Sequence, residues 1–176
     1  MELAALTGDP ATTPETAVET VAGAVAAATG VLVDPGLGAL RSLVGALGER
    51  KTLVCLDNCE HVLDAAADVV AALGRECPEV TVLTTSQEPL GLANETVWRV
   101  PPLAGDEAVT LFLERAATVR PGITAANDVV RTLCQRLDGI PLALELAAAW
   151  LRTLTPEQVE AGLTDRFGLL VRGPRG

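Results

Sequence analysis

From Lys51 to Asp57 (KTLVCLD) the chain is apolar without interruption between polar ends, the pattern of a strand buried on both faces. After Asp57-Asn58, the positions Val62, Ala66, Val69, Val70 and Leu73 recur at helical spacing as far as Gly74. Val80 to Thr85 (VTVLTT) is a second β-branched run. Strand, helix and strand in this order make a βαβ unit, so the two strands are predicted to be parallel members of one sheet. A shorter piece, Val97 to Val100, offers a further strand before Pro101-Pro102.

Upstream, Glu2 to Leu6 (ELAAL) reads as a strand end running into the Thr7-Gly8-Asp9-Pro10 turn. Pro14 to Ala28 follows as a helix with Val18, Val21, Ala22 and Val25 on one face. A second helix carries Leu40, Leu43, Val44 and Leu47 and stops at Gly48. From Gly105 onward only helical periodicity remains. Asp106 to Val119 ends at Pro121-Gly122, Asn127 caps a helix through Leu137, Pro141 opens Leu142 to Leu154, and Thr155-Pro156-Glu157-Gln158 is a capping box. Leu142 to Trp150, apolar nearly all round, is predicted to be a central buried helix. The domain boundary therefore falls near Leu103: an α/β part over 1–103, and a helical part over 104–176.

Hydrophobic residues make up 49% of the 176 positions and aromatics 2%, so the core must be built from Ala, Leu and Val. The net charge of −10, with Lys51 the one lysine, speaks against direct nucleic-acid binding by this chain, which needs a basic face. The longest charge-free run, Thr20 to Val33, is shorter than the ~20 apolar residues of a membrane span. With no basic leader at Met1-Glu2, the expected compartment is the cytoplasm. Cys55, Cys59, Cys77 and Cys134 form no C-x-x-C pair and read as reduced, mostly buried thiols.

In open parallel sheets, ligands bind beyond the carboxyl ends of the strands. Asp57 ends one predicted strand, and Thr84-Thr85-Ser86-Gln87 ends the other. A carboxylate at such a tip is where nucleotide-binding proteins hold Mg²⁺, although a helix-capping Asp reads the same way. Gly45 to Thr52 (GALGERKT) mimics a phosphate-binding loop, but it leaves a helix and enters a strand, the reverse of the order that aims helix amides at an anion. Cys55, Asp57, Cys59, Glu60 and His61 lack the second ligand pair of a zinc site. Cys59 and His61 lie two apart, on different sides of a helix, so no nucleophile and base pair is expected and no catalytic residue is assigned.

Three segments in order, LVCLDNCEHVLDAAADVVAAL, CPEVTVLTTSQEPLGLANETVWRVPPL and CQRLDGIPLALELAAAWLRTLTPEQVEAGLTDRFGLL, resemble the NB-ARC-like signal-transduction ATPases of the STAND class, above all the ATPase core of large actinobacterial transcriptional regulators. The resemblance runs from about Glu2 to Leu170. It implies a partial P-loop-NTPase-type parallel sheet with flanking helices, followed by a small all-helical lid, with ATP or ADP and Mg²⁺ between them. By resemblance, Asp57 is the Walker B aspartate that holds Mg²⁺. Thr85, Ser86 and Gln87 form the sensor segment. Gly139 and Pro141 match the lid's glycine-any-proline motif, whose proline packs against adenine and sugar.

Two departures accompany it. The resemblance places the P-loop strand, loop and helix before Glu2–Leu6, so this chain is expected to lack them. Gln87 also stands where the sensor motif carries an arginine. Both losses weaken ATP binding and hydrolysis. The expected protein is therefore a truncated regulatory module that acts through a protein partner or a missing N-terminal P-loop half. The alternatives are an autonomous Mg²⁺-dependent nucleotide hydrolase, or one half of a split regulator. Without the family's first strand, the Walker B and sensor strands must pair directly or leave two open edges, and marginal stability is expected.

Overall fold

The computed structural model describes residues 13–123 and 128–163. The predicted strand end at Glu2–Leu6 and the Asn127 cap lie outside them. The chain divides into two compact units, one ending at Trp98 and the other beginning at Arg99. Among the described residues no helix is long and apolar enough to cross a membrane.

The first unit is α/β. Helix α1 (Pro14–Thr29) starts where Thr13 accepts a hydrogen bond from the Thr16 amide and Pro14 occupies the first turn, and it ends at Gly30. Its Val21, Ala22, Val25 and Ala26 are buried. Helix α2 (Ala39–Leu47) has no cap of its own, and the Glu19 carboxylate of α1 accepts from its Ala39 and Leu40 amides. That carboxylate also meets the positive end of the α2 dipole. Gly38, at φ +83, admits it, because a Cβ there would stand 2.9 Å from Glu19 Oε2.

Strands β1 (Thr52–Leu56) and β2 (Val80–Thr84) pair in parallel, Thr52 opposite Val80 through Leu56 opposite Thr84, joined through α3 (Leu63–Glu76). Direct pairing is thus the arrangement adopted. Val54 and Leu56 are buried in a core with Leu43, Leu47, Val69 and Leu73, whereas Leu53 and Leu83 are 60% and 57% exposed. The expectation of a strand buried on both faces is therefore corrected. A continuous apolar run is equally compatible with one covered face, and here helices cover only one. Cys55 lies on the open side and is exposed, while Cys59, Cys77 and Cys134 are buried. The predicted strand at Val97–Val100 does not form, since the sheet holds only β1 and β2 among the described residues. Trp98 and Val100 are 83% and 86% exposed.

The second unit is helical: α4 (Gly105–Val119), α5 (Asp128–Arg136), α6 (Pro141–Ala149), a 3-10 turn at Trp150–Arg152, and α7 (Pro156–Gly162) with the predicted capping box at Thr155 and Gln158. Phe112, Leu133, Leu144, Ala148 and Leu151 form its core. Helix α6 is not buried all round. Leu144, Ala147 and Ala148 face the core, but Leu142 is 65% exposed. The turn at Trp150 also ends the helix before the predicted Leu154.

Candidate functional site

Asp57 follows the last residue of β1 and Thr85 the last residue of β2, so parallel pairing brings both to one end of the sheet. The contact is direct: the Thr85 hydroxyl donates to Asp57 Oδ1. The same hydroxyl oxygen accepts from the Asn58 amide at 3.1 Å. The Thr85 peptide is held as well, its N–H donating to the Leu56 carbonyl at 2.9 Å and its carbonyl accepting from Cys59 N–H at 3.0 Å. Asn58 makes this geometry by adopting φ +60, a left-handed conformation that asparagine tolerates better than most residues. Ser86 and Gln87 follow on the exposed loop, where Ser86 Oγ accepts from Glu88 N–H at 3.3 Å. Farther along that loop, Glu95 gathers the amides of Leu90, Gly91 and Leu92.

Cys59 is buried under this end, and its thiol pKa is pushed up to about 11 by burial first, then by the Glu60 and Asp57 carboxylates. It stays a protonated thiol, whose Sγ contacts the Leu56 carbonyl at 3.8 Å, while His61 is exposed. The two form no nucleophile and base pair. Lys51 sits at the opposite end of β1 from Asp57, and Gly45 lies within α2, so GALGERKT builds no anion cradle. No group of three or more His, Cys, Asp or Glu among the described residues is placed to hold a metal. The donor chemistry at the strand tips, the Asp57 carboxylate and the nearby Glu60 whose Oε2 is buried without a partner among the described residues, suits a hard cation. Two carboxylates are too few to cage a cation by protein alone, so a cation held here would need most of its oxygen ligands from elsewhere.

In the second unit, Gly139 and Pro141 lie in the α5–α6 connection. Gly139 is buried at φ +65. Its carbonyl accepts from Leu103 N–H at 3.0 Å, and a Cβ on Gly139 would overlap the Leu103 carbonyl oxygen. Glycine is needed there for both conformation and approach. Pro141 opens α6 and is exposed between Ile140 and Leu142, which are 50% and 65% exposed, forming an apolar rim. A cleft of about 400 Å³ at the start of α4, lined by Asp106, Glu107, Arg131 and Gln135, includes none of the residues singled out from the sequence. Sequence reasoning gave no role to Asn58, Glu95 and Leu103, and weighed Glu60 only within the cluster set aside as a zinc site. Only the Asp57-Asn58 pair, a dipeptide common in left-handed turns, carried a usable signal.

Neither a family model nor a solved structure matches the chain. Among curated proteins, it is 49% identical over 160 residues to a Mycobacterium tuberculosis protein named "Putative HTH-type transcriptional regulator", covering 89% of this chain and 18% of the relative. A Mycobacterium bovis protein of the same type matches to the same extent. An M. tuberculosis protein named only as uncharacterized is 49% identical over 147 residues, 81% of this chain and 37% of its own length. The chain thus spans about a fifth to somewhat over a third of the relatives it matches.

Proposed function

We propose that this chain is the Walker B and sensor part, with its helical lid, of a STAND/NB-ARC-type nucleotide switch from a bacterial transcriptional regulator. The observation that carries the reading is the Asp57–Thr85 contact: a carboxylate and a hydroxyl meet at the carboxyl ends of two parallel strands, where α/β sheets bind ligands. The exposed Ile140-Pro141-Leu142 rim beside the tightly fitted Gly139 supports the assignment of the lid motif. The name of the mycobacterial relatives supports a regulatory setting.

Under this reading Asp57 offers its carboxylate to Mg²⁺ on the nucleotide phosphates, Ser86 and Gln87 flank those phosphates, and Pro141 gives a rigid apolar wall to the base. Bound Mg²⁺ would supply charge neutralisation of the phosphates. The phosphate cradle has to come from a polypeptide other than GALGERKT, so the partner is a P-loop-bearing segment. Function by this chain is then regulated assembly, not independent hydrolysis.

Calorimetric titration with ATP and ADP in the presence of Mg²⁺ tests the reading. The chain by itself is expected to give no heat, and the chain mixed with a P-loop-bearing polypeptide of this class is expected to bind nucleotide in an Asp57-dependent way. Micromolar binding by the chain alone would favour the autonomous hydrolase and overturn the module.

A further inference from the structure

Thr85 does more in this structure than end a strand. A threonine hydroxyl has one proton to donate and two lone pairs. At Thr85 one lone pair is taken by the Asn58 N–H at 3.1 Å, and the proton is given to Asp57 Oδ1. The branched Cβ leaves the side chain few rotamers, and the peptide on both sides is fixed to Leu56 and Cys59. Asn58, whose N–H makes that contact, sits at φ +60, which directs the chain onward to Cys59 and its bond to the Thr85 carbonyl.

We propose that Thr85 is a positioning residue for Asp57: by holding Oδ1, it fixes the carboxylate plane and leaves Oδ2 as the oxygen presented to a nucleotide-bound divalent cation. The inference rests on the nucleotide-switch reading and deepens it, because it assigns the sensor threonine an action through the aspartate and not on the phosphate. It also makes the β2 tip and the cation site one mechanical unit.

The variants are Thr85→Val, which keeps the shape and removes the hydroxyl, and Thr85→Ser, which restores it. In the chain alone, amide hydrogen exchange at Asn58 is expected to be slowed in the wild type and Thr85→Ser, and to accelerate in Thr85→Val. Exchange as fast in the wild type as in Thr85→Val would overturn the geometry whatever nucleotide does. In the assembly with a P-loop-bearing polypeptide, ADP affinity is measured with and without Mn²⁺ as the probe cation. Outer partners of metal ligands are typically worth about 10–100-fold in metal affinity. Thr85→Val is therefore expected to lower the Mn²⁺-dependent gain about tenfold or more and leave cation-free ADP affinity unchanged, with Thr85→Ser recovering most of the gain. An unchanged gain, or an equal loss with and without Mn²⁺, overturns the positioning role while nucleotide binding itself upholds the broader reading. An assembly that binds no nucleotide overturns both.

Discussion

Replacing Gly139 by alanine tests the packing of the α5–α6 connection in a calculable way. The residue sits at φ +65, and a side chain in the left-handed region costs roughly 1–2 kcal/mol. The added Cβ would overlap the Leu103 carbonyl oxygen and stand 3.3 Å from the Leu103 carbonyl carbon and nitrogen, so backbone must move. That movement stretches the 3.0 Å bond from Leu103 N–H to the Gly139 carbonyl, a further net loss of about 0.5–1.5 kcal/mol. Together these come to about 1.5–3.5 kcal/mol. For a unit of this size the melting temperature falls by ~4–8 °C per kcal/mol, so a drop of at least about 6 °C is expected. The assay is thermal denaturation followed by Trp150 emission, Trp150 being packed against the second core. Gly91→Ala supplies the reference: Gly91 has φ +76 but nothing within 4 Å of a Cβ, so it carries the conformational cost alone. Equal losses in the two variants would refute the close approach to Leu103.

Two further outcomes are expected. Burial raises the thiol pKa of Cys59 and Cys134 to about 11 from an ordinary value of 9.0, so each folded thiol keeps its proton where the unfolded one loses it. Their contribution to stability is complete below pH 9, and falls as pH rises from about 9 through about 11; a denaturation midpoint flat across that window would contradict it. Leu73→Ala, at a fully buried position, should cost about 2–5 kcal/mol, whereas Leu53→Ala on the open sheet face should cost under about 0.5 kcal/mol. Comparable losses at both positions in a urea titration would mean that the sheet is covered on both sides.

The parallel pair, its connecting helix and the helical second unit were legible because uninterrupted β-branched runs and 3.6-residue stripes select the element type strongly. How many layers cover a strand is not written in such a run, which is why Leu53 and Cys55 were misplaced. Val97–Val100 has strand composition, yet a strand exists only by pairing, and composition cannot supply the partner. Asp57 and Thr85 were readable as strand ends. Their hydrogen bond was not, because it depends on the register between segments 28 residues apart. Gly139 was legible through its motif, while the reason for it, the approach of Leu103 from 36 positions earlier in the chain, exists only in three dimensions.

The 28-residue separation also orders events in time. Closing a loop of that length costs about 3 kcal/mol on the (3/2)RT ln n scale, more than the first hydrogen bonds between two short strands return. The strands are brought together by α3 burying Val69 and Leu73, so the β1–β2 pairing condenses with the helix and not before it. The bond between Asp57 and Thr85 lies just beyond the last residue pair of that register, so it can close only when the two strands are already aligned. A binding partner that gripped both strand tips would hold that alignment.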